Sequence, residues 1–196
     1  MIRMKKKVLR VGFDFDGVIA YFPLRIVRAP ISFVKKKIFK VKKLTFFYPK
    51  SPLERFIWVL LHDTSTFPAK GINLFRAAVE RGEIEAHLVT ARYSFLDTHL
   101  DRWLNKHQLK GFFTSISINE KNEQPHLFKE RMVNKMKFDY FVEDNMDIVE
   151  HLSKKTSTKV YWIYNIVDRT HPYPYKFPYL GKALESILAK ESRKEA

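Results

Sequence analysis

Cysteine is absent from this chain of 196 residues. That excludes disulfides and thiolate metal sites. It fits a reducing compartment, and the protein is read as cytoplasmic. Long apolar runs are absent as well: the longest, Phe56 to Leu61, is far too short to cross a bilayer. The N-terminus MIRMKKKVLR is basic, but Asp14 and Asp16 soon break the apolar stretch after it, so it does not read as a secretory signal. The histidines are scattered without metal-ligand spacing, and there are no repeats and no low-complexity linker. Acids are scarce in one region only. Residues 1–50 hold 14 Lys or Arg against two acids, a net of +12 out of a total of +15. This local excess points to an anionic partner there: phosphorylated substrate, nucleic acid or anionic lipid.

What is present is a composition that can fold. Hydrophobic residues make up 45% of the chain and aromatics 15%, which argues against disorder and for one domain with a proper core. The chain is organised around Val8 to Ile19, VLRVGFDFDGVI. Its apolar half has the length and branching of a buried strand. Asp14 and Asp16 stand two apart at the strand's end, and Gly17 then allows a turn. On a strand's period of two, both carboxylates project to the same side, where they repel and call for a cation or a shared proton. The carboxyl end of a sheet strand is where open α/β folds hold ligands.

The remaining chain alternates strands and helices. Ser51-Pro52-Leu53-Glu54 reads as a capping box with Pro at the first helical position, and FIWVLL after it predicts a mostly buried helix ending near Asp63. Helices are expected up to Gly82, over Ser94–His107, Pro125–Met136, Asp147–Lys155 and Leu180–Ala189. Strands are expected over Ile84–Thr90, Phe112–Ile118, Phe138–Val142 and Lys159–Tyr164, with HPYPYKFPY as a loop. This alternation specifies an α/β fold, a Rossmann-like parallel sheet with helices on both faces. Residues 22–66 are too long for a single crossover and read as a small helical cap inserted after the first strand, leaving 1–21 and 67–196 as the core. Within that insertion Ile31, Val34, Ile38 and Val41 recur at helical spacing among lysines, so Ile31–Leu44 predicts a basic amphipathic helix.

The D-F-D-G-V arrangement resembles the first motif of the haloacid dehalogenase (HAD) superfamily of phosphotransferases. Three further stretches resemble its other motifs in order. Leu88-Val89-Thr90 is an apolar strand closed by a hydroxyl. Lys129 is a lysine ahead of the last acidic strand. Phe141-Val142-Glu143-Asp144 is an apolar strand closed by two acids. Thr90-Ala91-Arg92, and Tyr161 to Ile163 leading through Tyr164 to Asn165, are similar to the 5′(3′)-deoxyribonucleotidase-like branch, although the cap is much more basic here.

The resemblance implies a role for each position. Asp14 is the nucleophile, forming an aspartyl phosphate, and Asp16 is the general acid and then the general base. Thr90 binds a phosphate oxygen, with Ala91 and Arg92 beside it on the substrate. Lys129 holds Asp14 ionised and offsets phosphate charge, a role for which Lys121, Lys135 and Lys137 compete. Mg2+ is the implied cofactor, held by Asp14, the Asp16 carbonyl and Asp144. Glu143 either binds metal through water or supports Asp144. Asp147 is equally a helix-start residue or a support for a ligand, and Arg92 equally an anion holder or a surface ion-pair partner. The implied function is a magnesium-dependent phosphomonoester hydrolase acting on a nucleotide or other small phosphorylated metabolite. The competing class is a non-catalytic protein on the same fold that uses the basic cap on a membrane surface or nucleic acid. For Ile31–Leu44 four readings stand: attracting substrate, lying on an anionic membrane, binding nucleic acid, or simply a solvated face. Nucleic acid is the least expected partner.

Overall fold

The structure, a computed structural model, describes residues 7–23 and 44–194. The expected basic helix over Ile31–Leu44 falls almost wholly on residues 24–43 and lies outside the described residues. Six strands form one sheet: β1 (Leu9–Phe13), β2 (Ile84–Tyr93), β3 (Ser115–Asn119), β4 (Tyr140–Glu143), β5 (Lys159–Ile163) and β6 (Lys176–Phe177). Their spatial order is β3-β2-β1-β4-β5-β6, and every pairing is parallel. The helices are α1 (Pro52–Asp63), α2 (Ile72–Glu80), α3 (Asp97–Lys106), α4 (Pro125–Met136), α5 (Met146–Lys155) and α6 (Leu180–Lys194).

Side-chain alternation along the strands builds two cores. Leu9, Val11 and Phe13 of β1, with Tyr140 and Val142 of β4 and Tyr161 and Ile163 of β5, pack against residues of α2, α3 and α6. Phe141 of β4 and Val160 and Trp162 of β5 point the other way and pack against α4 and α5 through Phe128, Val133, Ile148 and Leu152. A period of two on strands covered on both faces produces this split. Gly12 lies where the second core presses on β1: a Cβ there would come within 2.6 Å of the Phe141 ring and 2.7 Å of Phe138.

Four expectations are corrected. First, α1 carries the full capping box and Pro at its start, but none of its residues is buried; Leu53 and Phe56 are largely exposed. An apolar helix usually means burial, but this one is attached at the rim through a few rings: Trp58 meets Phe47 at 5.7 Å and Tyr93 at 6.5 Å. Second, the Pro- and Tyr-rich stretch holds β6. Its two residues run beside β5, and the flanking amides of Trp162 and Tyr164 donate to Tyr175 and Phe177 carbonyls at 2.8 and 3.0 Å. Third, β2 runs three residues past Thr90, and Ser94–Leu96 is a 3-10 turn ahead of α3. Fourth, Lys110–Phe112 is a 3-10 turn, so β3 begins only at Ser115.

The strand order reverses at β1: the chain builds outward through β2 and β3, then α4 crosses back so that β4 lies on β1's other side. The crevice outside the carboxyl ends of β1 and β4 is therefore the topological switch point, where ligands bind in open α/β sheets.

Candidate active site

At that crevice β1 and β4 end side by side. Phe13 pairs with Val142 in register, and the Asp14 amide donates to the Val142 carbonyl at 2.9 Å. Asp14 therefore emerges next to Glu143 and Asp144. Carboxylate oxygens of the three, one from each, all lie within 4.8 Å of one another, and all three residues are buried. Lys129 reaches in from α4, 2% exposed, with its Nζ 2.9 Å from Asp14 Oδ1 and 2.6 Å from Glu143 Oε2. Glu143 Oε1 accepts the amides of Asp144 and Asn145 at 3.2 and 3.0 Å. Asn145 in turn caps α5 by accepting the Asp147 amide at 3.0 Å, which places Asp147 in that helix's first turn.

Three buried carboxylates face one lysine, so negative charge is in excess. Burial raises the Glu143 carboxyl to about 8, the Asp14 charge adds to the rise, and Lys129 only partly counters it. For Lys129 burial alone would act downward, but Asp14 and Glu143 outweigh it and hold the ammonium charged. A divalent cation with hard oxygen preferences suits such an all-carboxylate donor set. The backbone makes room for it. Gly17 has φ +82°, and a Cβ there would fall 2.2 Å from Asp144 Oδ2. The turn that brings Asp144 this close accepts only glycine, on both conformational and steric grounds.

Asp16 has different partners. β1 ends at Phe13, and residues 15–20 form a turn in which the Val18, Ile19 and Ala20 amides all converge on the Phe15 carbonyl. The strand period stops short of Asp16, and its carboxylate is not part of the three-acid group. Arg92 holds it in a fork, Nε to Oδ2 at 2.8 Å and Nη2 to Oδ1 at 2.7 Å, while the Ser65 hydroxyl donates to Oδ1 at 2.9 Å. The Arg92 guanidinium also lies 4.5 Å over the Phe15 ring. A register shift in β2 between Thr90 and Tyr93 makes this grip available. Such bulges re-aim a side chain beside a site, and this one spans Ala91 and Arg92. Thr90 is 1% exposed, and its Oγ1 accepts the Arg92 amide at 3.3 Å.

Two contributors lacked a usable sign in the sequence. Ser65 is one serine in an irregular stretch, yet it is buried against Asp16. The Asn145 cap is visible only as an Asn two residues before Asp147. Two of the lysines that competed for the central role stand at the far end of α4: Lys135 sits in its last turn, and Lys137 caps it.

The described part of the insertion reaches over this end of the sheet. Gln124 Oε1 accepts the Phe46 amide at 2.7 Å, and the Tyr93 hydroxyl donates to the Phe47 carbonyl at 2.8 Å, its phenol pushed up to about 12 by burial. Arg92 Nη2 also reaches the His62 carbonyl at 3.3 Å.

No protein-family model matches the chain, and no curated protein does. Solved structures match over nearly all of it. HAD-hydrolase YfnB from Bacillus subtilis, bound to magnesium, is similar at TM-score 0.62 with 13% identity, covering 93% of this chain and 100% of that one. A β-phosphoglucomutase from Clostridium difficile is similar at TM-score 0.59 with 16% identity, covering 96% and 99%. A haloacid dehalogenase-like family hydrolase from Xanthomonas campestris is similar at TM-score 0.55 with 12% identity, covering 96% and 100%. The fold is that of the HAD-superfamily hydrolases.

Proposed function

We propose that this protein is a magnesium-dependent phosphomonoester hydrolase that works through an aspartyl phosphate on Asp14. The observation that carries this reading is the meeting of Asp14, Lys129, Glu143 and Asp144 at the switch point of a HAD-like sheet. Phosphoryl transfer needs in-line positioning and charge neutralisation more than unusual reactivity, and this group supplies both. In the first half of the cycle an Asp14 carboxylate oxygen bonds to phosphorus. The ester P–O bond breaks, and the leaving oxygen takes a proton from Asp16. In the second half Asp16 removes a proton from water, whose oxygen attacks the phosphorus and releases phosphate and free Asp14. Lys129 offsets negative charge around Asp14, and Thr90 offers its hydroxyl to a phosphate oxygen. Mg2+ held by Asp14, Asp144 and the Asp16 carbonyl, with Glu143 beside them, would supply charge stabilisation to the phosphoryl oxygens. Arg92 keeps Asp16 oriented. That pairing suits the second half; in the first, a proton has to reach Asp16 and the Arg92 contact has to change.

Residues 22–66 act in this reading as a cap on the core. The hydrogen bonds between that segment and Gln124, Tyr93, Arg92 and Asp16 support it. The nucleotidase-like refinement rests on Thr90-Ala91-Arg92 and the strand leading to Asn165 alone. The β-phosphoglucomutase among the similar structures favours a second reading, in which a sugar hydroxyl replaces water as acceptor. One assay addresses both. Purified protein with Mg2+ releases phosphate from p-nitrophenyl phosphate, chelation stops it, and Asp14→Asn abolishes it. Undiminished release by Asp14→Asn sinks the mechanism. Run with a sugar monophosphate as substrate, the same assay selects the mutase reading if an isomeric phosphosugar forms without free phosphate.

A further inference from the structure

Next to the two residues that hold Asp16, and lined by none of the three acids, the surface opens into a cavity of about 210 Å³. Two of its lining residues, Arg92 and Ser65, are the two that grip Asp16. The rest of its charge is mostly positive: Arg102 and Lys106 line it beside the His62 and His99 rings, against one carboxylate, Asp63. These charges are not equally available. Arg92 is taken up by Asp16, and Asp63 by the His99 ring at 3.0 Å. Arg102 and Lys106 have no anionic partner among the described residues.

The helix places them together on purpose-built geometry. His99, Arg102 and Lys106 stand at i, i+3 and i+7 of α3, which is one face. Arg102 and Lys106 are four apart, a spacing at which like charges repel along a helix. Other cations nearby are paired: Lys110 reaches Asp101 at 2.5 Å, and Arg76 donates to the His107 carbonyl at 2.6 Å. On α3 the two cations without an anionic partner among the described residues both line the cavity.

We infer that this cavity is a leaving-group subsite for a second anionic group, so that the substrate is a small phosphomonoester carrying a further phosphate or carboxylate. The inference rests on the phosphatase reading in one respect: Asp16 is the group that protonates the leaving oxygen, so the leaving group departs on Asp16's side. The cavity adjoining Asp16 is then where that group sits, with the scissile phosphate at Asp14 and the distal anion between Arg102 and Lys106. Size sets the class further. Pockets for drug-sized ligands run to roughly 300–1,000 Å³, and the walls formed by the described residues enclose less, which suits a few carbons and one anion. Arg102 and Lys106 are exposed at the mouth, so long-range attraction would fall with added salt.

Two measurements test this, one independent of turnover. In the first, calorimetry follows 3-phosphoglycerate and glycerol 3-phosphate binding to Asp14→Asn protein with Mg2+, with and without Arg102→Ala/Lys106→Ala. The expected result is at least tenfold tighter binding of 3-phosphoglycerate, an advantage lost in the double substitution. Equal affinity for the two ligands, or an advantage that survives the substitution, overturns the subsite whether or not the protein is an enzyme. In the second, turnover of glycerol 3-phosphate, 3-phosphoglycerate and 1,3-propanediol bisphosphate separates carboxylate from phosphate as the distal anion. A kcat/KM ratio over glycerol 3-phosphate that is at least tenfold and collapses towards one in the double variant supports the subsite. A ratio near one in the unaltered protein overturns it. Absence of turnover on every substrate refutes the phosphatase reading while the calorimetric result still decides the subsite.

Discussion

Replacing Lys129 with Met is the most direct probe of the centre. Met keeps much of the unbranched stem and removes the charge. In the intact protein the ammonium lies 2.9 Å from Asp14 and 2.6 Å from Glu143, at 2% exposure. Removing one partner of a buried ion pair leaves an uncompensated buried charge, at a cost of about 3–5 kcal/mol. For a domain of this length each kcal/mol shifts the melting temperature by about 2–4 °C, so a fall of about 6–20 °C is expected. Thermal melts at pH 7 without divalent metal measure it. A second substitution isolates the cause. Adding Asp14→Asn to Lys129→Met removes the carboxylate that lay 2.9 Å from the lost ammonium and keeps a side chain of the same shape. The pair is therefore expected to recover part of the loss, with a coupling of roughly 1–3 kcal/mol. A Lys129→Met melt within about 2 °C of the unaltered protein, a change under about 1 kcal/mol at this size, would refute the charge argument. So would a double variant no more stable than the single.

Other outcomes follow from the same geometry. Glu143 sits in the fold at about 8 against an ordinary 4.5, so its contribution to stability is full below about 4.5 and is lost as pH rises through about 8. Metal-free protein should thus melt lower at pH 8 than at pH 5.5, and added Mg2+ should raise the melt more at pH 8; scanning fluorimetry that shows the reverse order contradicts this. Gly17→Ala pushes a Cβ against the Asp144 carboxylate and should lower kcat/KM by roughly a hundredfold, with weaker Mg2+ binding by calorimetry; full activity would show that the turn has slack. Ser51→Ala removes one half of the capping box on α1 and should cost about 1 kcal/mol locally, read as faster hydrogen exchange of the first-turn amides of α1 with the global melt little changed.

The sheet was legible because periodicity reports burial. β1, α4 and α5 lie within a residue or so of their expected bounds, since branched apolar runs and Pro125 mark them. α1's start was legible for a local reason, the Ser51–Glu54 reciprocal bonds, but its exposure was not: a single chain cannot show whether an apolar helix finds a cover. β6 escaped because a two-residue strand has no periodicity to detect. At the site, Asp14, Lys129, Glu143 and Asp144 could be listed from the motifs, and the fold brings them together. The Arg92 fork on Asp16 could not be read. It depends on a register shift in β2 and on β1 ending one residue before Asp14, and neither leaves a pattern in the letters. Ser65 illustrates the same limit, since its partner is 49 positions away.

The sheet's two margins are unequal. On one side β6 offers two residues, with Pro172 and Pro174 before it and Pro178 directly after, so its outer rim has few free amides with which to recruit another strand. On the other side β3 spans five residues, with no proline and no charge, only partly covered along four of them. Any edge-to-edge stacking of copies, into pairs or into fibres, is therefore steered to the β3 rim, and one lysine introduced at Ser117 is the place to block it.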